Sequence, residues 1–255
     1  MSTFGILSRL SDHYNPYEHI IKLLSNQFLG HLMRVAILSS GGKDSAAAWW
    51  WAMCKGWDVV ALVTMRVVSG DSMMFQVPGT EIVKHQAKLA NVPWLSIDTE
   101  GQEELEITDL ENDISKLEID ALVCGALRSD YQKSRIERMC QRLGIISYTP
   151  LWHQSGLAHI SGLVKHGFGV MITSVACDGL DQTWIGKILD EKSLDSMIEL
   201  SKQYRFNVDG EGGEYETLVV YGPHFEGQIV VTGTPEWYGR RGELQISEIS
   251  SSKNC

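Results

Sequence analysis

A strand that runs into a double glycine and then straight into a helix restricts this chain more than any other feature. Arg34-Val35-Ala36-Ile37-Leu38 is an apolar run of β-formers, Ser39-Ser40-Gly41-Gly42 interrupts it, and Asp44 to Lys55 continues as a helix closed by Gly56. A strand from Met33 to Leu38, that helix and a second buried strand from Val59 to Met65 make the opening of a parallel sheet with crossover helices.

The alternation continues. Helical character over Thr80 to Ala90 precedes a short strand at Trp94 to Ile97. Ile107, Leu110, Ile114 and Leu117 then lay an apolar stripe along the next helix at three- and four-residue spacing. Ala121 to Cys124 reads as a strand and Asp130 to Leu143 as a helix, with Ile136, Met139 and Leu143 inward and Lys133, Arg138 and Arg142 toward solvent. After Pro150 the rhythm changes to a helix at Leu157 to Lys165, a strand at Val170 to Val175 and a helix at Ser193 to Tyr204. Short strands at Leu218 to Tyr221, Gln228 to Thr232 and Leu244 to Ile249 follow, separated by Gly- and Pro-containing turns. The expected organisation is an N-terminal appendage over 1–32, a nucleotide-binding α/β domain over 33–150 and a smaller α+β lobe over 151–255.

Composition excludes several classes. The 44 % hydrophobic content of 255 residues is enough for a substantial core. The five cysteines are scattered and never form a C-x-x-C pair, which argues against a disulfide framework or thiolate zinc and fits a reducing cytoplasm. No apolar run reaches membrane-span length. The net charge of −10 is concentrated in residues 98–120, which hold ten acidic side chains and a single lysine, Lys116. That run is either a solvated helix face, the plainer reading, or an acidic face that steers a basic partner, and generic nucleic-acid binding is disfavoured.

The chemistry is expected at Ser40-Gly41-Gly42-Lys43-Asp44-Ser45. Glycines at 41 and 42 admit positive φ and let backbone amides approach an anion. The first free N–H groups of the helix point to the same place, Lys43 adds a point charge, and Ser40 and Ser45 add hydroxyl donors, so the loop suits a pyrophosphate group. The spacing is neither that of a Walker A loop nor G-x-G-x-x-G. Asp44 is a candidate metal or water ligand, with helix capping as the plainer role.

SGGKDS resembles the signature of the pyrophosphate-loop ATPases. Three further segments narrow the resemblance: Met74-Phe75 with Pro78; Gly125-Ala126 followed by Ser129 to Arg135; and Gly210-Glu211-Gly212-Gly213-Glu214-Tyr215-Glu216-Thr217. Together they resemble the diphthine–ammonia ligase family, with GEGGEYET the most discriminating part and residues from about Met33 to Pro223 covered. Gln76 and Gly79 depart from the pattern, which has a histidine and an asparagine there.

The resemblance implies a Rossmann-like parallel sheet of the adenine nucleotide α-hydrolase type. It also implies that ATP and Mg²⁺ activate the diphthine carboxylate of translation elongation factor two as an acyl-adenylate, which ammonium converts to the amide. ATP would be held by Ser40, Gly41, Gly42, Lys43, Asp44, Ser45, Met65, Gly125 and Ala126. The protein substrate would lie on Met74, Phe75, Gln132, Glu211, Gly213, Tyr215 and Glu216. Lys43, Asp130, Arg135 and Glu214 are the catalytic candidates, and Asp44 the metal ligand. The glutamates of GEGGEYET could bind Mg²⁺, hold ammonium or face the trimethylammonium group of diphthine, for which Tyr215 with Trp184 or Trp237 would supply cation–π contacts; a structural hairpin turn is the other reading. Cys177 reads as a small buried residue at a strand end, with sulfur transfer as the other possibility. Two other functions share the first motif, a pyrophosphate-loop tRNA-modifying enzyme and a non-catalytic nucleotide-binding module. Neither accounts for GEGGEYET.

Overall fold

The structure is a computed structural model, and it describes residues 32–68 and 80–253. Met74, Phe75, Gln76, Pro78 and Gly79, and nearly all of the expected appendage, lie outside the described residues.

Residues from Met33 onward form one compact unit built on two sheets. The first is parallel and five-stranded, made of β1 (Arg34–Leu38), β2 (Asp58–Val67), β3 (Trp94–Thr99), β4 (Ala121–Cys124) and β5 (Ile146–Tyr148), in the order β3-β2-β1-β4-β5. Strand alternation divides its side chains between two cores. Val35, Ile37, Leu62 and Val123 meet α1 (Lys43–Cys54) and α2 (Ile82–Ala90) on one face. Ala36, Ala61, Val63 and Leu122 meet α3 (Glu103–Ile114) and α4 (Asp130–Leu143) on the other. Helices on both faces and a reversal of strand order beside β1 define a doubly wound sheet, whose crevice opens at the carboxyl ends of β1 and β4.

The second sheet is antiparallel, in the order β7-β6-β9-β8, from β6 (Gly169–Val175), β7 (Tyr215–Tyr221), β8 (Gly227–Tyr238) and β9 (Arg241–Lys253). It is accompanied by α5 (Gly156–Lys165) and α6 (Glu191–Tyr204). Its inner residues Val170, Ile172, Leu218 and Val220 join the core that holds α1 and α2, so one apolar layer cements both sheets.

Most elements lie where periodicity places them. The differences are β5, which the pattern does not show, and β8 and β9, which are a long hairpin rather than short strands. Gly233 and Pro235 read as a turn but continue β8. Gly233 sits at a bulge where a Cβ would be 2.5 Å from the Gln245 carbonyl oxygen, and Pro235 is tolerated because β8 is an edge strand. The true turn is Gly239-Arg240, between the paired Tyr238 and Arg241.

Candidate active site

A cavity of about 450 Å³ occupies the crevice beyond β1 and β4. Three segments wall it: the loop and first turn from Leu38 to Ser45, the loop after β4, and the turn that leads into β7.

The two glycines of the first loop have different work. Gly41 takes the left-handed φ of +84°, and a Cβ there would lie 2.3 Å from Ile82 Cγ2, so it lets the loop pack on α2. Gly42 has an ordinary φ of −82° and lines the cavity. Of the two glycines that admit positive φ, only Gly41 uses it. The carbonyl of Gly41 accepts from Val219 N–H at 2.9 Å and from Gln86 Nε2 at 3.0 Å, and Gln86 Nε2 also reaches the Val219 carbonyl at 2.8 Å. Ser39 and Ser45 hydroxyls lie 3.4 Å apart inside the loop, and Ser45 donates to the Gly42 carbonyl. Ser40 and Gly42 are left facing the cavity at the positive end of α1.

Lys43 is 5 % exposed, and its Nζ is 2.8 Å from Asp44 Oδ2 and 4.0 Å from Glu211 Oε1. Burial disfavours its charge, but Asp44 and Glu211 outweigh that and raise its pKa, so it stays an ammonium. Asp44 uses its other oxygen to meet His159 Nε2 at 2.7 Å. Burial opposes its charge too, yet Lys43 and His159 hold its carboxyl below the usual range. His159 comes from α5, and its side chain is almost wholly buried. Sequence reading missed it because a histidine on the inward face beside Ile160 and Leu163 looks like a core residue.

After β4, Gly125 lets the chain pass against the first turn of α1, where a Cβ would stand 2.6 Å from the Asp44 carbonyl carbon. Gly125, Ala126, Ser129 and Gln132 line the cavity, as does Met65 from β2. Ser129 caps α4 by accepting from Gln132 N–H. Asp130 is exposed on that first turn, and the Arg135 guanidinium stacks 3.7 Å from the Tyr131 ring centre; neither forms part of the cavity wall.

GEGGEYET enters from the opposite side. Glu211, Gly213, Tyr215, Glu216 and Thr217 line the cavity. Glu211 is pushed up to about 7, first by burial and then by Asp44, against the pull of Lys43. Glu214 does not line the cavity. Its carboxylate braces the turn, accepting from Asn207 N–H and Nδ2 and from Gly212 N–H. Tyr215 is buried, donates to the Val208 carbonyl at 2.7 Å and places its ring centre 5.9 Å from Lys43 Nζ. Thr217 accepts the backbone N–H of Lys43 at 3.2 Å. Behind the turn, buried Asp209 lies 3.1 Å from Arg128 Nη1 and under Gly156, where a Cβ would be 2.1 Å from its Oδ2. Trp184 and Trp237 are elsewhere: Lys187 covers the Trp184 ring, and Trp237 donates to the Gly239 carbonyl. Burial pushes the Cys177 thiol up to about 11, which keeps it protonated and poorly suited to sulfur transfer.

The cavity therefore has two ends, which meet where Lys43 Nζ lies 4.0 Å from Glu211 Oε1. One offers amides, hydroxyls and Lys43, which suits phosphate oxygens. The other offers Glu211 and Glu216, which suit a cation. No set of three or more His, Cys, Asp or Glu side chains able to hold a metal occurs among the described residues. Nor is any described helix long and apolar enough to cross a membrane.

Comparison with known proteins finds relatives over most of the chain. Residues 33–147 match the family model of the diphthamide synthase N-terminal domain, and residues 155–251 that of the diphthamide synthase C-terminal domain. Human diphthine–ammonia ligase is 34 % identical over 222 residues, which is 78 % of this chain and 83 % of that protein. The mouse protein of the same name is 33 % identical over 254 residues, covering 86 % of this chain and 95 % of its own length. The Schizosaccharomyces pombe protein of that name is 32 % identical over 243 residues, 88 % of this chain but only 38 % of its own length.

Proposed function

The chain belongs to the diphthamide synthase family, and from that premise we propose that it is an ATP-dependent ligase that amidates the diphthine carboxylate of translation elongation factor two. The reaction consumes ammonium and releases AMP and pyrophosphate. The observation that carries this reading is the direct bonding of the β7 strand of GEGGEYET to the SGGKDS loop, which puts an anion-binding end and a carboxylate end in one cavity.

ATP fits the first end. Its phosphates would lie on the amides at the start of α1 beside Gly42, Lys43 and Ser45, with the nucleoside toward Met65, Gly125 and Ala126. Mg²⁺, if carried in with the phosphates, needs few protein ligands, and Asp44 is the nearest carboxylate to supply one. Lys43 must leave Asp44 to meet the phosphates, and His159 holds the carboxylate in place as it does so. Charge developing at the α-phosphorus is then met by fixed donors rather than by mobile water.

The carboxylate end would take the diphthine side chain. Glu211 and Glu216 face its trimethylammonium group, and the Tyr215 ring adds an apolar wall. Asp130 and Arg135 are outside the cavity wall but on α4, where a protein substrate approaching that helix would meet them. A carboxylate at this end is suited to accepting the proton that ammonium loses.

The test is an assay with α-labelled ATP, Mg²⁺, ammonium and diphthine-bearing elongation factor two, with Lys43→Ala as control. AMP and amidated product that need all components support the ligase. ATP turnover that responds to tRNA, or ATP binding without AMP, would replace it with a tRNA-modifying enzyme or a nucleotide-binding module.

A further inference from the structure

A second, smaller cavity of about 50 Å³ adjoins the first and shares one residue with it, Glu216. Its wall is completed by Thr173, Ser174, Glu243, Leu244 and Ile246. That volume admits a molecule or ion about the size of water, provided polar partners surround it.

The lining follows from strand register. Ser174 on β6 pairs with Glu216 on β7 and with Glu243 on β9, and Glu243 pairs in turn with Glu236 on β8. Paired residues share a sheet face, so three glutamates and one serine form a row across all four strands. Like charges directly opposite one another, as at Glu236 and Glu243, weaken a sheet. Among the described residues no salt bridge involves Glu216, Glu236 or Glu243; Glu236 accepts from the Tyr238 hydroxyl and Glu243 from Gln245 Nε2, which leaves the second Glu243 oxygen and Glu216 for the cavity.

Thr173 supplies an independent sign. It falls at the register shift between Ile172 and Ser174, and a bulge brings two successive side chains toward one side. This explains how neighbours Thr173 and Ser174 line the same cavity. Thr173 is 7 % exposed, and no hydrogen bond to its hydroxyl is found among the described residues. A hydroxyl without a protein partner at a cavity wall can bond to whatever occupies that cavity.

We propose that the pocket between Thr173, Ser174, Glu216 and Glu243 is the ammonium site of this protein. Two carboxylates and two hydroxyls give four acceptors for the four N–H groups of ammonium, while Leu244 and Ile246 leave no room for a bulkier amine. Glu216 then connects it to the carboxylate end of the larger cavity. When an N–H bond of ammonium breaks, its proton passes to the Glu216 carboxylate and the electron pair stays on nitrogen. This inference rests on the ligase reading for its purpose, but not for its binding test.

That test follows backbone amide shifts of the intact chain by NMR while ammonium chloride or sodium chloride is added at equal ionic strength. Saturable shifts at Ser174, Glu216 and Glu243 with ammonium and not sodium are expected. Glu243→Gln and the isosteric Thr173→Val should each weaken that response about ten-fold, as loss of a bond to a charged ligand does. In the amidation assay both should raise the KM for ammonium by a similar factor and leave the KM for ATP unchanged. An equal response to sodium, no response, or an unaltered ammonium KM in both variants overturns the site. If the wild-type chain forms no AMP with diphthine substrate, the ligase reading falls, while the amide shifts still decide whether ammonium binds.

Discussion

The hydroxyl of Thr217 accepts a hydrogen bond from the backbone N–H of Lys43, 174 residues earlier in the chain. Gly42, at the cap position of α1, has no side chain to do this, so the cap comes from β7. Thr217→Val keeps the shape and removes the acceptor. A buried N–H left without a partner costs about 1–3 kcal/mol. Weaker ATP binding by roughly ten-fold is expected by calorimetry, with Thr217→Ser close to wild type. Equal binding by the valine variant would show that the amide does not depend on this hydroxyl.

His159 should act through Asp44. Replacing it with alanine frees one Asp44 oxygen, and the carboxylate can then follow Lys43 toward the phosphates. His159→Ala is expected to raise the Kd for ATP by roughly ten-fold, on the scale of a lost bond to a charged group. His159→Gln, which retains a donor, should recover most of it. In the background of Asp44→Asn the alanine change should have little further effect, because the two residues work as one unit.

A pH response is built in at His224. Its ring lies among Trp49, Phe168 and Phe225, both ring nitrogens are buried without a hydrogen-bond partner, and burial lowers its pKa from 6.5 to about 3. Between those values the unfolded chain binds a proton that the folded chain does not. Stability is therefore complete above about 6.5 and falls as pH drops through the window, by up to about 1.4 kcal/mol per pH unit. Denaturant unfolding at pH 7.5, 6 and 5 measures the slope. His224→Phe should flatten it.

Gly125→Ala tests the close passage of two loops. The added Cβ would meet Asp44 backbone, which cannot swing aside as a side chain can. Overpacking of this kind costs about 1–3 kcal/mol, so a lower Tm and a loss of ATP binding should appear together. An alanine variant with both properties intact would mean that the β4 loop can retreat without consequence.

The parallel half of the fold is legible because its strands are buried on both faces and its helices end at glycines such as Gly56 and Gly144. Tertiary context hides the rest. Pro235 reads as a breaker unless β8 is known to be an edge, and the short β5 carries too little pattern to be noticed. In the site, the motif residues that line the cavity are those with backbone or charge to offer. Glu214 carries the same charge as Glu211 yet bends back to its own turn, whose path is set by positive φ at Gly210 and Gly213 rather than by the charge of the glutamates. His159, Asp209 and Arg128 have no local signature, since their partners lie far away in the chain.

The bonds from Thr217 and Val219 to the first loop have a consequence for synthesis. As the polypeptide leaves the ribosome, every strand of the parallel sheet emerges well before β7. The nascent chain thus carries a sheet whose glycine loop still lacks two of its anchors, and the cavity is completed late, with the strand that bears the acidic motif. A chain stopped short of residue 217 would keep the SGGKDS letters without the shape that gives them meaning.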